Sequence, residues 1–171
     1  QRRKLARHLE GALAGIEGID TARLADGAEH AYYVYPIKYD ATATGIPRAL
    51  FVRAVNAELP TPGHPEQVGL SPAYVRPLYL ARAYQEKIAI GGKGFPWTVN
   101  KDVHYDYRKG LCPVVEKLHE EQMLLTMLVR EPLTEADIDD FAAAIRKVLR
   151  HKDELAGIDE GNVDADAQLF L

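Results

Sequence analysis

The segment His30–Tyr39 constrains the fold of this chain more than any other part of the sequence. It reads His-Ala-Tyr-Tyr-Val-Tyr-Pro-Ile-Lys-Tyr, which is dense in the aromatic and β-branched residues typical of strands. Apolar residues fall on both faces, which predicts an inner strand or one that is covered on both faces. Because Pro36 cannot donate to a ladder, we expect a bulge or the edge of the strand there.

The clearest helix follows Thr134, the predicted N-cap, with Asp137 three residues on as a variant capping box. Its apolar residues recur at helical spacing: Ile138, Phe141, Ala142, Ile145, Val148 and Leu149. Three earlier helices are predicted. The first covers residues 2–16, with Leu5, Leu9, Leu13 and Ile16 inward and Gly15 and Gly18 at its end. The second begins at Gly45-Ile-Pro47. The third begins at Pro113, with Val114, Val115 and Leu118 inward.

The remaining segments predict one more strand and long loops. Leu124–Val129 is a compact apolar run that favours a strand, and residues 80–86 favour a helical turn. Residues 59–72 are rich in proline and predict a loop with a short strand near Leu59, and residues 91–110 lack periodicity. We therefore predict an α/β fold of the α+β kind, with a small, mainly antiparallel sheet of about three strands covered by helices. Residues 1–156 would form one domain with a long loop at 86–111, followed by an acidic tail at 157–171.

Composition argues against some classes of function but identifies none. The chain has 171 residues, a net charge of −4 and a pI of about 5.9, so we expect no nucleic-acid partner and no attraction to an anionic membrane. Its apolar runs are far shorter than a membrane-spanning helix needs. The single cysteine, Cys112, excludes an internal disulfide and fits a cytoplasmic protein.

Three segments in a fixed order resemble a known enzyme family. They are Ala73-Tyr-Val-Arg-Pro-Leu-Tyr-Leu-Ala-Arg-Ala-Tyr84, Cys112-Pro-Val-Val-Glu-Lys-Leu118 and Leu133-Thr-Glu-Ala-Asp-Ile-Asp139. In that order they resemble the C-terminal part of the DegT/StrS-type sugar aminotransferases, which use pyridoxal phosphate (PLP). His30-Ala-Tyr-Tyr33 and Arg48-x-x-Phe51 are similar to elements that enter the same domain, so the resemblance covers about residues 1–155.

The resemblance implies a domain of a larger enzyme. The whole enzyme would be a fold-type-I PLP aminotransferase, commonly a homodimer, that aminates a keto sugar carried by a nucleotide. The half that binds PLP through a lysine would precede Gln1, so the resemblance implies PLP in the complete enzyme and none bound to this chain alone. Ala73 and Tyr79 stand where the family commonly has histidines, and residues 84–112 are longer than usual, which leaves the sugar open.

Candidate substrate-binding residues cluster in the first of these segments. Arginines pair with phosphate oxygens in forked geometry and aromatic rings stack on a base or sugar, which suits a nucleotide-sugar site. Tyr74 and Tyr79 are either substrate contacts or core tyrosines, and Arg76 and Arg82 are either phosphate ligands or solvated side chains. Lys93, in Gly-Gly-Lys-Gly, is either a diphosphate ligand or part of an ordinary flexible loop, since this loop lacks the spacing of a P-loop.

Other chemistry finds little support in the sequence. His104 and His119 are far apart and no histidine pair has metal-ligand spacing, so we predict no metal site and no catalytic residue in this chain. Cys112 at a helix start is interpreted as a small packing residue. The aromatic residues of the long loop (Phe95, Trp97, Tyr105 and Tyr107) form either a lid or, as we favour, an interface with the cofactor-binding half or a second subunit.

Two further hypotheses stand beside the aminotransferase domain. One is an independent, non-catalytic α/β module that binds a nucleotide sugar or a protein. The other is a separate enzyme, for which the sequence offers neither a nucleophile–base pair nor a carboxylate pair.

Overall fold

The computed structural model describes residues 1–60, 69–155 and 157–158. Six α-helices lie in this part of the chain: α1 (Arg2–Leu13), α2 (Ala41–Thr44), α3 (Arg48–Ala57), α4 (Arg82–Gln85), α5 (Pro113–Lys117) and α6 (Glu135–Arg150). Its four strands are β1 (Ile19–Thr21), β2 (Tyr35–Tyr39), β3 (Ser71–Pro72) and β4 (Met123–Thr126). The strands form one sheet in the order β1-β2-β4-β3, and every neighbouring pair is antiparallel. The predicted α+β fold is confirmed, with four strands where about three were expected.

The inner strand β2 is shorter than predicted. It lies between β1 and β4 and buries Tyr35, Ile37 and Tyr39 on one face, whereas Lys38 is exposed. Pro36 pairs with β4 only, because the register with β1 ends at Ile37, so the strand has a single partner at the proline. The inner position is therefore confirmed, and coverage of both faces is not found.

The strand prediction for residues 30–34 is wrong. Tyr32 has a φ of +49°, a left-handed conformation that no strand residue adopts. The Tyr32 N–H donates to His30 Nδ1 at 2.7 Å, so a side chain takes the place of a strand partner. The chain turns here and enters β2 only at Tyr35.

A core between the helices and the sheet accounts for most buried apolar residues. Helix α6 contacts both α1 and α3, and Phe51 and Phe141 are fully buried. Thr134 is the N-cap of α6 and its backbone N–H donates to Asp137 Oδ2 at 2.7 Å, which confirms the predicted capping box. The predicted stripe of α6 faces this core, with Leu149 at its margin.

The ends of several other elements differ from the predicted ends by a few residues. Helix α1 ends at Leu13 rather than residue 16, because Gly15 has a φ of +74°. Pro47 is the N-cap of α3, and Leu59 lies in a bend after that helix, not in a strand. Met127–Val129 are buried but lie beyond the end of β4. Residues 61–68 of the predicted loop and all but residues 157–158 of the predicted tail lie outside the described residues.

The chain divides into two compact units. The sheet unit comprises the described residues of Gln1–Tyr74 and Glu121–Leu171, and the loop unit comprises Val75–Glu120. The grouping of residues 1–156 as one domain stays a prediction. Within the described ranges, no helix combines the length and the apolar character needed to cross a membrane.

Candidate functional site

The loop unit is organised around Tyr79. Pro77 fixes the backbone before a single 3₁₀ turn (Leu78–Leu80), and helix α4 follows at Arg82. Tyr79 is half-buried and its hydroxyl donates a hydrogen bond to Glu116 Oε1. Tyr79 belongs to the first of the three family-like segments and Glu116 to the second, so this bond joins the two segments.

Glu116 is the buried side chain of helix α5. It is only 7% exposed, whereas Val114 is 80% and Val115 48% exposed. The prediction that Val114, Val115 and Leu118 face inward is therefore wrong, since Leu118 is exposed as well. The helix has five residues, and its contacts with the rest of the unit are made by a carboxylate in place of an apolar stripe.

Backbone donors complete the surroundings of Glu116. Its Oε1 accepts the Gly110 N–H at 2.7 Å and the Cys112 N–H at 3.4 Å. Cys112 is the N-cap of α5, so the carboxylate reaches back to the N-cap amide as in a capping box displaced by one residue. The half-buried Cys112 contributes its backbone here, in a helix that begins with Pro113.

The charges of this pair follow from its geometry. The hydrogen bond from Tyr79, followed by those from Gly110 and Cys112, lowers the pKa of Glu116 against the opposing effect of desolvation. Burial and the neighbouring carboxylate raise the pKa of Tyr79 to about 12. At neutral pH the pair is therefore a carboxylate that accepts from a neutral phenol.

A glutamine and a group of aromatic rings hold the rest of the loop unit. Gln85 Nε2 donates to the Tyr79 carbonyl at 2.8 Å and to the Tyr107 carbonyl at 2.6 Å. Trp97 Nε1 donates to the Tyr107 hydroxyl at 2.9 Å, and both rings contact Tyr84 edge to face. The backbone that carries Tyr79 is thus tied to the aromatic segment by polar side chains.

The other predicted site residues do not gather around Tyr79 through direct contacts. Tyr74 belongs to the sheet unit, where burial and the phenol of Tyr33 raise its pKa. Arg82 pairs with Glu86 at 2.8 Å on an exposed face of the loop unit. Arg76 and Lys93 are exposed in that unit, and Lys93 lies in a glycine-rich turn closed by a bridge between Ile90 and Phe95. Their assignment as substrate-binding residues stays a prediction.

The loop unit carries a positive charge within an acidic chain. Residues 75–120 contain eight lysines and arginines against five acidic residues, a net charge of +3, while the whole chain has −4. Three of these cations form ion pairs: Arg82, Arg108 and Lys109. Among the described residues, the remaining five have no ion-pair partner: Arg76, Lys87, Lys93, Lys101 and Lys117. The unit therefore favours an anionic ligand.

The side chains of this chain do not fit the binding of PLP. The cofactor needs a lysine held in a desolvated site, because only an uncharged amine attacks its aldehyde. All nine lysines of the chain lie in the described residues, and each is exposed. Within the same residues, no three His, Cys, Asp or Glu side chains lie close enough together to hold a metal ion.

Sequence reasoning missed Glu116 and Gln85. Glu116 carried a signal, since a carboxylate in the first turn after a Pro-led helix start commonly satisfies the amides there. Gln85 carried none, because its role depends on the positions of two backbone carbonyls that are distant in sequence. The side-chain amide of Gln85 meets these carbonyls only after the loop has folded.

Comparisons with known proteins add no family to this picture. The sequence matches no model of a known protein family, and it matches no curated protein sequence.

Proposed function

We propose that this chain is the substrate-cleft domain of a PLP-dependent aminotransferase of the DegT/StrS type, acting on a nucleotide-linked keto sugar. In this proposal the cofactor-binding lysine belongs to a part of the enzyme outside these residues. The chain contributes a wall of the substrate site and part of a homodimer contact, in the cytoplasm. It supplies no catalytic residue of its own.

The observation that carries the proposal is the Tyr79–Glu116 hydrogen bond. It joins two family-like segments that are distant in sequence, and from Val75 onward both belong to one unit, which contains the buried carboxylate. A substrate wall needs side chains whose positions are fixed before the ligand arrives. The hydrogen bonds of Gln85 support the same proposal, because they link the backbone of Tyr79 to the backbone of Tyr107.

The charge of the loop unit supports the nucleotide part of the proposal. A nucleotide sugar carries a diphosphate, and the unit has a net charge of +3 with exposed Arg76 and Lys93 free of ion pairs in the described residues. The aromatic residues Tyr84, Trp97 and Tyr107 offer faces and edges on which a base or a sugar ring packs. A positively charged, aromatic unit fits this ligand better than a cation or an apolar molecule.

The proposal is tested on the polypeptide that carries this sequence in its natural source. An antibody raised against the chain isolates that polypeptide, and its intact mass and visible absorbance are measured. We expect a mass well above 19.0 kDa and the visible band of protein-bound PLP. A natural polypeptide of 19.0 kDa without that band would contradict the proposal.

One observation favours a second function, an independent binding module. The sheet unit has a core of its own, with Phe51, Ile37 and Phe141 nearly or fully buried, as a domain that folds alone requires. This alternative removes the chemistry and binds either a nucleotide sugar or a protein. It predicts the 19.0 kDa polypeptide together with binding of one of these two ligands.

A further inference from the structure

The two oxygens of the Glu116 carboxylate are used unequally. Oε1 accepts from the Tyr79 hydroxyl, the Gly110 N–H and the Cys112 N–H. Oε2 accepts no hydrogen bond from the described residues. A carboxylate has about four acceptor positions. Although Glu116 is only 7% exposed as a residue, Oε2 is not one of the buried polar atoms that lack a partner in the described residues, so this oxygen faces solvent. One oxygen of the carboxylate is therefore used inside the loop unit, and the other is accessible to a ligand.

The hydroxyl oxygen of Tyr79 is also available as a hydrogen-bond acceptor. Its proton is donated to Glu116, so its oxygen has only lone pairs to offer to a ligand. Glu116 Oε2 and Tyr79 Oη are therefore two acceptors on neighbouring side chains. A ligand that meets both must donate two hydrogen bonds.

We propose that Glu116 Oε2 and Tyr79 Oη form an acceptor pair for two hydroxyl groups of the sugar ring in a nucleotide-linked sugar. This inference rests on the ligand class of the proposed function and names the groups that read its sugar. Hydroxyls fit better than an ammonium group or a metal ion, because the unit's charge of +3 disfavours a cation. Glu116 is at once the side chain that fixes Tyr79 and a contact for the ligand.

The variant Glu116→Gln separates these two roles. The amide carbonyl of glutamine can accept from Tyr79, Gly110 and Cys112, so the internal contacts are kept. Its NH₂ group takes the place of Oε2 and presents donors to the sugar hydroxyls. Tyr79→Phe removes the second acceptor and preserves the ring. Glu121→Gln, at an exposed residue, is the matched control for the loss of one charge.

The experiment is an NMR titration of the full chain with three probes, each compared with its own nucleotide. The probes are UDP-glucose, dTDP-glucose and GDP-mannose, and the readout is the ratio of the Kd of the bare nucleotide to that of the sugar nucleotide. We expect at least one probe to bind the wild-type chain more tightly than its nucleotide. Glu116→Gln and Tyr79→Phe should each lower that ratio by about tenfold, and Glu121→Gln should leave it unchanged. The Trp97 indole resonance reports whether each variant keeps the folded loop.

Two results would overturn the inference. One is an unchanged ratio in Glu116→Gln and Tyr79→Phe, and the other is a wild-type chain that prefers none of the three sugars over the bare nucleotide. Neither result depends on whether the natural polypeptide holds PLP, which is the test of the proposed function. Sugar preference that depends on Glu116, in a natural polypeptide without PLP, keeps the inference and makes the chain a binding module. PLP in the natural polypeptide with no effect of Glu116→Gln removes the inference alone.

Discussion

The sheet unit and the loop unit are stabilised by opposite means. In the sheet unit, large apolar side chains such as Leu5, Phe51 and Phe141 are fully buried. Of fourteen exposed large apolar residues in the described chain, eleven lie in the loop unit: Val75, Leu78, Ile88, Ile90, Phe95, Val99, Val103, Leu111, Val114, Val115 and Leu118. Its buried residues in the described chain are Pro77 and Glu116, and Glu116 is buried with a carboxylate.

This difference separates the unit that contributes most of the apolar burial from the unit to which we assign ligand binding. Burial of apolar surface is the main stabilising contribution in a domain, and it is concentrated in the sheet unit. Polar contacts add little net stability but fix particular atoms in particular places. We expect a unit held mainly by such contacts to have low local stability and to depend on the ionised form of Glu116.

The largest effect is expected from Phe141→Ala in helix α6. Phe141 is fully buried, so truncation removes apolar contacts and leaves a cavity. The free energy of unfolding should fall by about 3–5 kcal/mol, measured by urea unfolding followed by circular dichroism. Val114→Ala is the loop-unit counterpart, because Val114 is 80% exposed, and it should change that free energy by less than about 0.5 kcal/mol. Equal losses in the two variants would contradict the comparison.

The next effect concerns two tyrosines of β2. The hydroxyl of buried Tyr39 donates to the Ile46 carbonyl at 2.7 Å and accepts from Thr44 Oγ1 at 2.7 Å. Tyr39→Phe leaves both partners buried and should cost about 1–3 kcal/mol of unfolding free energy in a thermal or urea melt. The hydroxyl of Tyr35 is buried and makes no hydrogen bond of good geometry in the described residues, although Thr21 and Glu10 lie close enough to influence its pKa. Tyr35→Phe should therefore cost less unfolding free energy than Tyr39→Phe. The reverse order of the two variants would show that this polar network is misassigned.

A local effect is expected at the Gly110 amide, which donates to Glu116. The pKa of Glu116 is lowered in the fold, so its stabilising contribution is present above the unfolded pKa of about 4.3 and is lost as pH falls through the folded value. Hydrogen exchange should show Gly110 protected at neutral pH and about tenfold less protected in Glu116→Ala. Amides of β4 should keep their protection in that variant, since they belong to the sheet unit. Loss of protection in both units would mean that Glu116 contributes to the whole fold.

The smallest effect is expected at Lys93. It is exposed and has no ion-pair partner in the described residues, so Lys93→Ala should leave the unfolding free energy unchanged within about 0.5 kcal/mol. If it contacts the diphosphate, affinity for a nucleotide sugar should fall about two- to fivefold, and less so at high salt. Lys101→Ala, also exposed and in the same unit, is the matched control for charge. Calorimetric titration that gives equal affinities for both variants would remove Lys93 from the site.

The sheet unit could be predicted from sequence where periodicity carries the information. The stripe of α6, its Thr134 cap and the inner strand at Tyr35–Tyr39 follow from apolar spacing and capping chemistry. The strands β1 and β3 have three and two residues, too few to show a period, and they exist because β2 and β4 offer free edges. Tyr32 escaped prediction because its turn depends on the His30 side chain.

The loop unit could be predicted only in outline. The helix start at Pro113 was evident, but its apolar residues indicated the wrong inward face, because Glu116 is the buried residue of this helix and Val114 and Val115 are exposed. Tyr79 was predicted as a site residue because it lies in a family-like segment. Its contact with Glu116 could not be predicted, because the contact forms only when residues 80–111 fold and bring the two side chains together. Polar contacts between distant segments leave no periodic pattern in a sequence.

The most direct test of the proposed function asks whether a lysine of the natural polypeptide holds PLP, and which lysine it is. Borohydride reduction makes the lysine–PLP linkage permanent, and peptide mass mapping then identifies the modified residue. We predict that this lysine lies outside the 171 residues described by this sequence. A modified lysine within them, at Lys93 or any of the other eight, would contradict the account and make this chain the catalytic part of the enzyme.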